Sequence, residues 1–371
     1  MKGAATTASV TPWHDRHCFA GIFLCVHHVR VFACKRIRQA APSGPCSPCY
    51  HQSSAYAWSL ARLRASLRRR ENMAWKFELL ARYPIPLTEG PVWDGEFLYF
   101  THIQAHRIMR HDPKSGTISE WRTATNFTNG LAFDLKGRLF GCSSGARSIV
   151  RFDPDGSMAT VADRVDGKRL NTPNDLAIDR KGRIWFSNPW NEGNVDKSAK
   201  EEVDNRSVLR ADRQADGSYT VTRVTFDTHQ PNGILVSQDQ RTLYVAESNY
   251  DPKKIRELRA YPINDDGSLG AYSVLHTFGG GADGLHRGID GMCLDAEGNI
   301  VATAGWELGG PGPMIYVWSP QGRVLETHPV PVLRPTNCAF GGPDMTTLYV
   351  TSTQGHFLKA QTDRVGWAMY P

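Results

Sequence analysis

The chain has 371 residues, with 43 Lys/Arg against 37 Asp/Glu and a formal net charge of +6, long enough for two ordinary domains or one large all-β domain. The positive charge is concentrated before Met73, where 11 basic residues face only Asp15 and Glu71; that surplus of nine leaves the remainder near −3. A mildly acidic body lacks the basic footprint of a nucleic-acid binder, so no such partner is expected.

Residues 1–72 read as a disordered head. Its longest apolar stretch, Cys18 to Val26, runs into His27, His28 and Arg30 and falls well short of the roughly 20 residues that a bilayer span needs. It has no clear small-residue cleavage site for secretion, and no membrane partner is expected. The Arg-rich, acid-poor composition is that of an organellar transit peptide. The simpler reading is an upstream start codon with Met73 as the true initiator, because strand patterning begins directly after Met73. Cys46 and Cys49 form a lone CxxC without the second pair or histidines of a zinc site. The three cysteines of the body, Cys142, Cys293 and Cys338, are odd in number and widely spaced, which fits reduced thiols in the cytoplasm.

From residue 73 to residue 371 one phrase recurs. It opens at Glu89-Gly-Pro-Val-Trp-Asp, Asn129-Gly-Leu-Ala-Phe-Asp, Asn174-Asp-Leu-Ala-Ile-Asp, Asn232-Gly-Ile-Leu-Val-Ser, Asp290-Gly-Met-Cys-Leu-Asp and Asn337-Cys-Ala-Phe-Gly-Gly. Each copy alternates into apolar residues, reaches a turn such as Lys136-Gly137, Lys181-Gly182 or Glu297-Gly298, and continues into a β-rich run such as Arg183-Ile-Trp-Phe or Thr347-Leu-Tyr-Val. That is hairpin grammar. A second phrase, as in Arg107-Ile-Met-Arg-His-Asp-Pro and Ser148-Ile-Val-Arg-Phe-Asp-Pro, follows in most copies and is degenerate in the last, Phe357-Leu-Lys-Ala. Six units of about four strands each predict an all-β, six-bladed β-propeller, because such units bury their faces only by stacking radially.

In a propeller, equivalent positions of the innermost strands point at one axis. The six opening residues, Glu89, Asn129, Asn174, Asn232, Asp290 and Asn337, all carry oxygen. Taken singly, each is an ordinary turn residue; taken in register they form a ring that is costly unless a cation satisfies it. Two carboxylates and four amides suit one divalent cation at the centre, calcium first, with magnesium, manganese or zinc as alternatives, although the ring lacks the nitrogen and sulfur ligands that select zinc.

The phrases Glu89-Gly-Pro-Val-Trp, Asn174-Asp-Leu-Ala-Ile-Asp, Pro231-Asn232-Gly and Ile289-Asp290-Gly-Met-Cys-Leu-Asp resemble the senescence marker protein/gluconolactonase/regucalcin-like family, most of all its gluconolactonase branch. The resemblance implies that Glu89, Asn232 and Asp290 hold the metal, and that Asn174 completes its shell or contacts substrate. Regucalcin-like members carry an arginine two residues before that asparagine, where this chain has Thr172. The implied activity is metal-dependent hydrolysis of a small sugar lactone, with the metal polarising the lactone carbonyl and Asp290 as general base for water. Asn129, His102, Asn174 and Asn337 are candidate substrate contacts. Hydrolysis of another ester such as an organophosphate, and calcium or ligand binding without turnover, are the competing functions, since fold alone does not fix activity.

Overall fold

The computed structural model describes residues 74–370 apart from Tyr250, Pro252, Ala282 and Asp283; the expectations for residues 1–72 fall outside this range. Twenty-four strands form six four-stranded antiparallel blades. Two single 3-10 turns, Ile103–Ala105 and Glu192–Asn194, are the only helical elements among the described residues.

Blade 1 opens with the inner strand Thr88–Trp93, blade 2 with Thr128–Phe133 and blade 3 with Leu176–Ile178. Blades 4, 5 and 6 open with Pro231–Val236, Ile289–Asp295 and Pro335–Gly341. Each inner strand packs on those of the blades before and after it, and blade 6 returns to blade 1. The hairpin turns form because an aspartate closes them. Asp134 Oδ1 accepts from the amides of Lys136 and Arg138, both at 2.9 Å, while Gly137 supplies the positive φ of 70° that the turn requires. Asp179 and Asp295 repeat this arrangement in blades 3 and 5.

The degenerate second phrase of the last copy has a structural counterpart. Blade 6 takes its outermost strand from the start of the body: Phe77–Arg82 pairs antiparallel with His356–Gln361, Phe77 opposite Ala360. This joint between the two ends of the domain completes the sixth blade and closes the ring. A short strand, Gly366–Trp367, further covers the inner strand of blade 5 by pairing with Leu294 and Asp295. Arg364 holds that segment through ion pairs to Asp295 and Glu326.

The core lies between blades rather than at the axis. Phe140, Ile149, Leu176, Ile184 and Phe186 pack between blades 2 and 3, and Tyr244, Leu258, Met292 and Ile300 between blades 4 and 5. Burying such side chains contributes about 1.5–3 kcal/mol each. At one end of the inner strands the axis is left to polar side chains.

Candidate active site

At one end of the inner strands a cavity of about 580 Å³ opens, lined by Glu89, Asn129, Asn174, Asn232, Asp290 and Thr336 together with rim residues. Five of the six opening residues thus meet in one place. The sixth does not. In blade 2, Thr128 is paired with Ser143 and Leu131 with Gly141; in blade 6 the matching pairs are Pro335 with Ser352 and Cys338 with Val350. Thr336, not Asn337, therefore occupies the slot of Asn129. A one-residue offset sends a strand side chain to the opposite side, and Asn337 accordingly lies off the cavity.

Asn337 belongs to a layer just beneath the ring. The other members of that layer are Gly90, Gly130, Asp175, Gly233 and Gly291, each next in sequence to a ring residue. Four glycines leave room for the two side chains. A Cβ on Gly291 would stand 2.0 Å from Asn337 Cγ, and one on Gly130 would stand 2.4 Å from Asp175 Oδ1. Asn337 Nδ2 approaches Asp175 Oδ2 at 3.5 Å, and the Leu176 amide donates to Asp175 Oδ1 at 2.9 Å. Burial pushes the Asp175 carboxyl up to about 7. The signal for this layer was present in the repeats: Asp175 stands where four copies carry glycine, and the sixth copy lacks a glycine after Asn337.

The ring is dense in negative charge. Glu89 is 4% exposed and Asp290 6%. Burial, then the neighbouring Asp290 and Asp175, pushes the Glu89 carboxyl well above its ordinary range. Asp290 is held from both sides: Asn232 Nδ2 donates to its Oδ1 at 2.7 Å, and Arg287 Nη2 stands 3.1 Å from its Oδ2. Asn129 Oδ1 is buried and accepts no hydrogen bond. Thr336 differs from the other ring members, because its hydroxyl donates to the Thr88 carbonyl at 2.8 Å and lies 2.9 Å from the Thr351 hydroxyl. It fastens blade 6 to blade 1.

These observations test whether a cation fits. Among the described residues no three His, Cys, Asp or Glu side chains stand together as a metal-binding group. The ring instead combines two carboxylates with amides, one of whose oxygens is buried without a partner. Crowded buried carboxylates and an orphaned acceptor are relieved by a hard cation, and no described residue lining the cavity offers imidazole or thiol. The residues fit the group.

The remaining candidates fall on both sides of the boundary. Trp190, Asn191, Glu192 and Asn194 of blade 3 line the cavity, as do Arg206, Arg287 and Arg334. His102 does not: its Nε2 lies 2.7 Å from the Ile85 carbonyl and its ring packs on Tyr83. That contact accounts for its burial, and it stands outside the lining as a substrate contact.

Comparison with known proteins bears on the chain as a whole. The family model described as SMP-30/Gluconolactonase/LRE-like region matches residues 87–354. A gluconolactonase of Zymomonas mobilis is 29% identical over 293 residues, covering 72% of this chain and 77% of its own. A 6-deoxy-6-sulfogluconolactonase of Pseudomonas putida is 27% identical over 278 residues, covering 74% and 86%. A solved gluconolactonase structure from Xanthomonas campestris superposes with a TM-score of 0.64 at 30% identity, over 77% of this chain and 90% of that one. The polar ring at the axis, the six blades around it and a family match over residues 87–354 together make this chain a member of the SMP-30/gluconolactonase/LRE-like family.

Proposed function

We propose that the protein hydrolyses a sugar lactone and that it does so with one divalent cation, calcium first, in the ring. The observation that carries this reading is the convergence of Glu89, Asn174, Asn232 and Asp290 on one cavity, in a chain whose relatives are named for lactone hydrolysis. Glu89, Asn232 and Asp290, with Asn174, would hold the cation. When bound, it would supply positive charge for the oxygen of the lactone carbonyl, where negative charge develops as water adds.

The protein's own groups supply the rest. Asp290 is the base that takes the proton from water, and Arg287 and Asn232 fix the orientation of its carboxylate. The Asn232 amide serves as donor or acceptor according to which way round it sits, so the same residue suits the ring with and without a cation. Trp190 offers an apolar face for a sugar ring, and Asn129 an acceptor for a hydroxyl or the cation. We place the protein in the cytoplasm, a reading supported by Cys142, Cys293 and Cys338, which carry no disulfide. No helix among the described residues is long and apolar enough to cross a membrane.

The experiment is acid release from a panel of sugar lactones and an organophosphate triester, with and without chelator. The proposal expects chelator-sensitive lactone opening restored by one cation. Undiminished activity in chelator overturns the cation, and calcium binding with no turnover of any lactone leaves only the binding function.

A further inference from the structure

The cavity wall carries three arginines, and they differ in what they face. Arg287 pairs with Asp290. Arg206 is tied to Glu201 through Nε at 3.1 Å and Nη2 at 3.3 Å, and donates from Nη1 to Gln230 at 2.7 Å. Both charges are matched by carboxylates. Arg334 lines the cavity with no carboxylate within ion-pair distance among the described residues, and its Nε is buried without a hydrogen-bond partner.

Its backbone is held in place. The Arg334 carbonyl accepts from the Thr353 amide at 3.1 Å, and the neighbouring Leu333 amide donates to Gln354 Oε1 at 2.8 Å. Arg334 stands two positions before Thr336, the ring slot of blade 6. Blade 6 lies across the axis from blade 3, where the corresponding position is Thr172, which turns away to bond the Pro189 carbonyl at 2.8 Å. Trp190 and Asn174 of blade 3 therefore face the Arg334 wall across the cavity. A guanidinium at a cavity wall, partly withdrawn from water and lacking a counter-charge, is satisfied by a ligand that brings one. Its planar fork matches an oxyacid group with two coplanar or tetrahedral oxygens.

We propose that Arg334 determines substrate choice by binding an anionic oxyacid group, a carboxylate, sulfonate or phosphate, carried by the lactone away from its reacting carbonyl. The inference rests on the lactonase reading. The substrate then spans the cavity, its carbonyl at the ring of Glu89, Asn232 and Asp290 and its anionic end on blade 6.

The test compares aldonolactones alike in the ring but bearing hydroxyl, carboxylate, sulfonate or phosphate at the terminal carbon. It uses the full chain with calcium and its Arg334→Gln and Arg334→Lys variants. A charge-assisted bond of this kind is worth about 10- to 100-fold. The wild type should prefer the anionic lactones by that factor in kcat/KM, mainly through KM. Arg334→Gln should erase the preference, Arg334→Lys should retain part of it, and the ranking among the three anions identifies the group. A wild type that favours the neutral lactone, or a preference that survives Arg334→Gln, overturns the inference while leaving lactone hydrolysis intact. Calorimetric binding of glucuronate against glucose separates the two readings. If no lactone is opened, the hydrolytic reading falls, and a glucuronate preference lost in Arg334→Gln still upholds the assignment of Arg334. Equal binding of the two sugars overturns it.

Discussion

The two ends of the inner strands differ although the same six strands build both. At one end, Glu89, Asn129, Asn174, Asn232 and Asp290 surround a cavity of about 580 Å³. At the other, Trp93, Phe133, Met292, Cys338, Trp367 and Tyr370 enclose about 160 Å³ that is mostly apolar. Between them lies the layer of four glycines with Asp175 and Asn337. Strand alternation means that moving one residue along the chain changes which side chains reach the axis. The polar end is thus separated from the apolar end by a layer in which most side chains are missing, which lets the blades approach closely. A propeller axis built this way presents an apolar cavity at one end and a polar one at the other.

The largest break in this contrast is Asp290→Asn. Removing the proposed base and one ring charge should lower lactone kcat by about 10³-fold or more, read by continuous titration of the acid released, while the circular dichroism spectrum stays that of the wild type. Asp175→Asn removes the carboxylate of the layer beneath. By weakening the field that favours a cation, it should lower calcium affinity by about 10- to 100-fold, measured by calorimetry.

Asp175 also predicts a pH dependence. Its folded value of about 7 lies above the ordinary 3.8, so the folded state binds this proton more tightly than the unfolded chain does. The resulting stability is present below about pH 4 and is lost as pH rises to about 7, and Glu89 contributes in the same direction. In chelator, the melting temperature of wild type relative to Asp175→Asn should therefore fall between these limits. Calcium should raise the wild-type melting temperature more at pH 8 than at pH 5. A constant difference across that window would remove the claim of a crowded carboxylate pair.

Gly291→Ala sharpens the contrast from the packing side. Its Cβ would stand 2.0 Å from Asn337 Cγ, and an overpacked site of this kind costs about 1–3 kcal/mol, read by chemical denaturation. Thr336→Val has the smallest expected effect. It loses a hydroxyl bonded to the Thr88 carbonyl, about 1 kcal/mol, and should shift calcium affinity by no more than about threefold, because that hydroxyl already serves the protein.

Much of this was legible in the chain itself, for a physical reason. Repeating units reveal a propeller because each blade carries the same alternation and the same Asp- and Gly-containing turns, so Asn129, Asn174 and Asn232 could be aligned without coordinates. The sixth copy misled. Asn337 matched by residue type, but its neighbour Cys338, paired with Val350, takes the slot of Leu131, and register is set by pairing rather than by the letter. His102 looked free to contact substrate, yet a carbonyl distant in the hairpin sequence, Ile85, occupies it. The closure by Phe77–Arg82 was invisible because that strand pairs with residues at the other end of the domain. Arg334 and Arg206 carried no motif, and only the placement of neighbouring charges distinguishes them.

The central claim is that one cation sits among Glu89, Asn174, Asn232 and Asp290 and is needed for lactone opening. Stripping the protein with chelator and returning calcium in measured steps, with hydrolysis followed at each step, tests it most directly. Activity should rise linearly and stop at one equivalent, with Glu89→Gln failing to reach it at the same calcium. Full activity in the stripped protein, or a Glu89→Gln titration that matches the wild type, would contradict it.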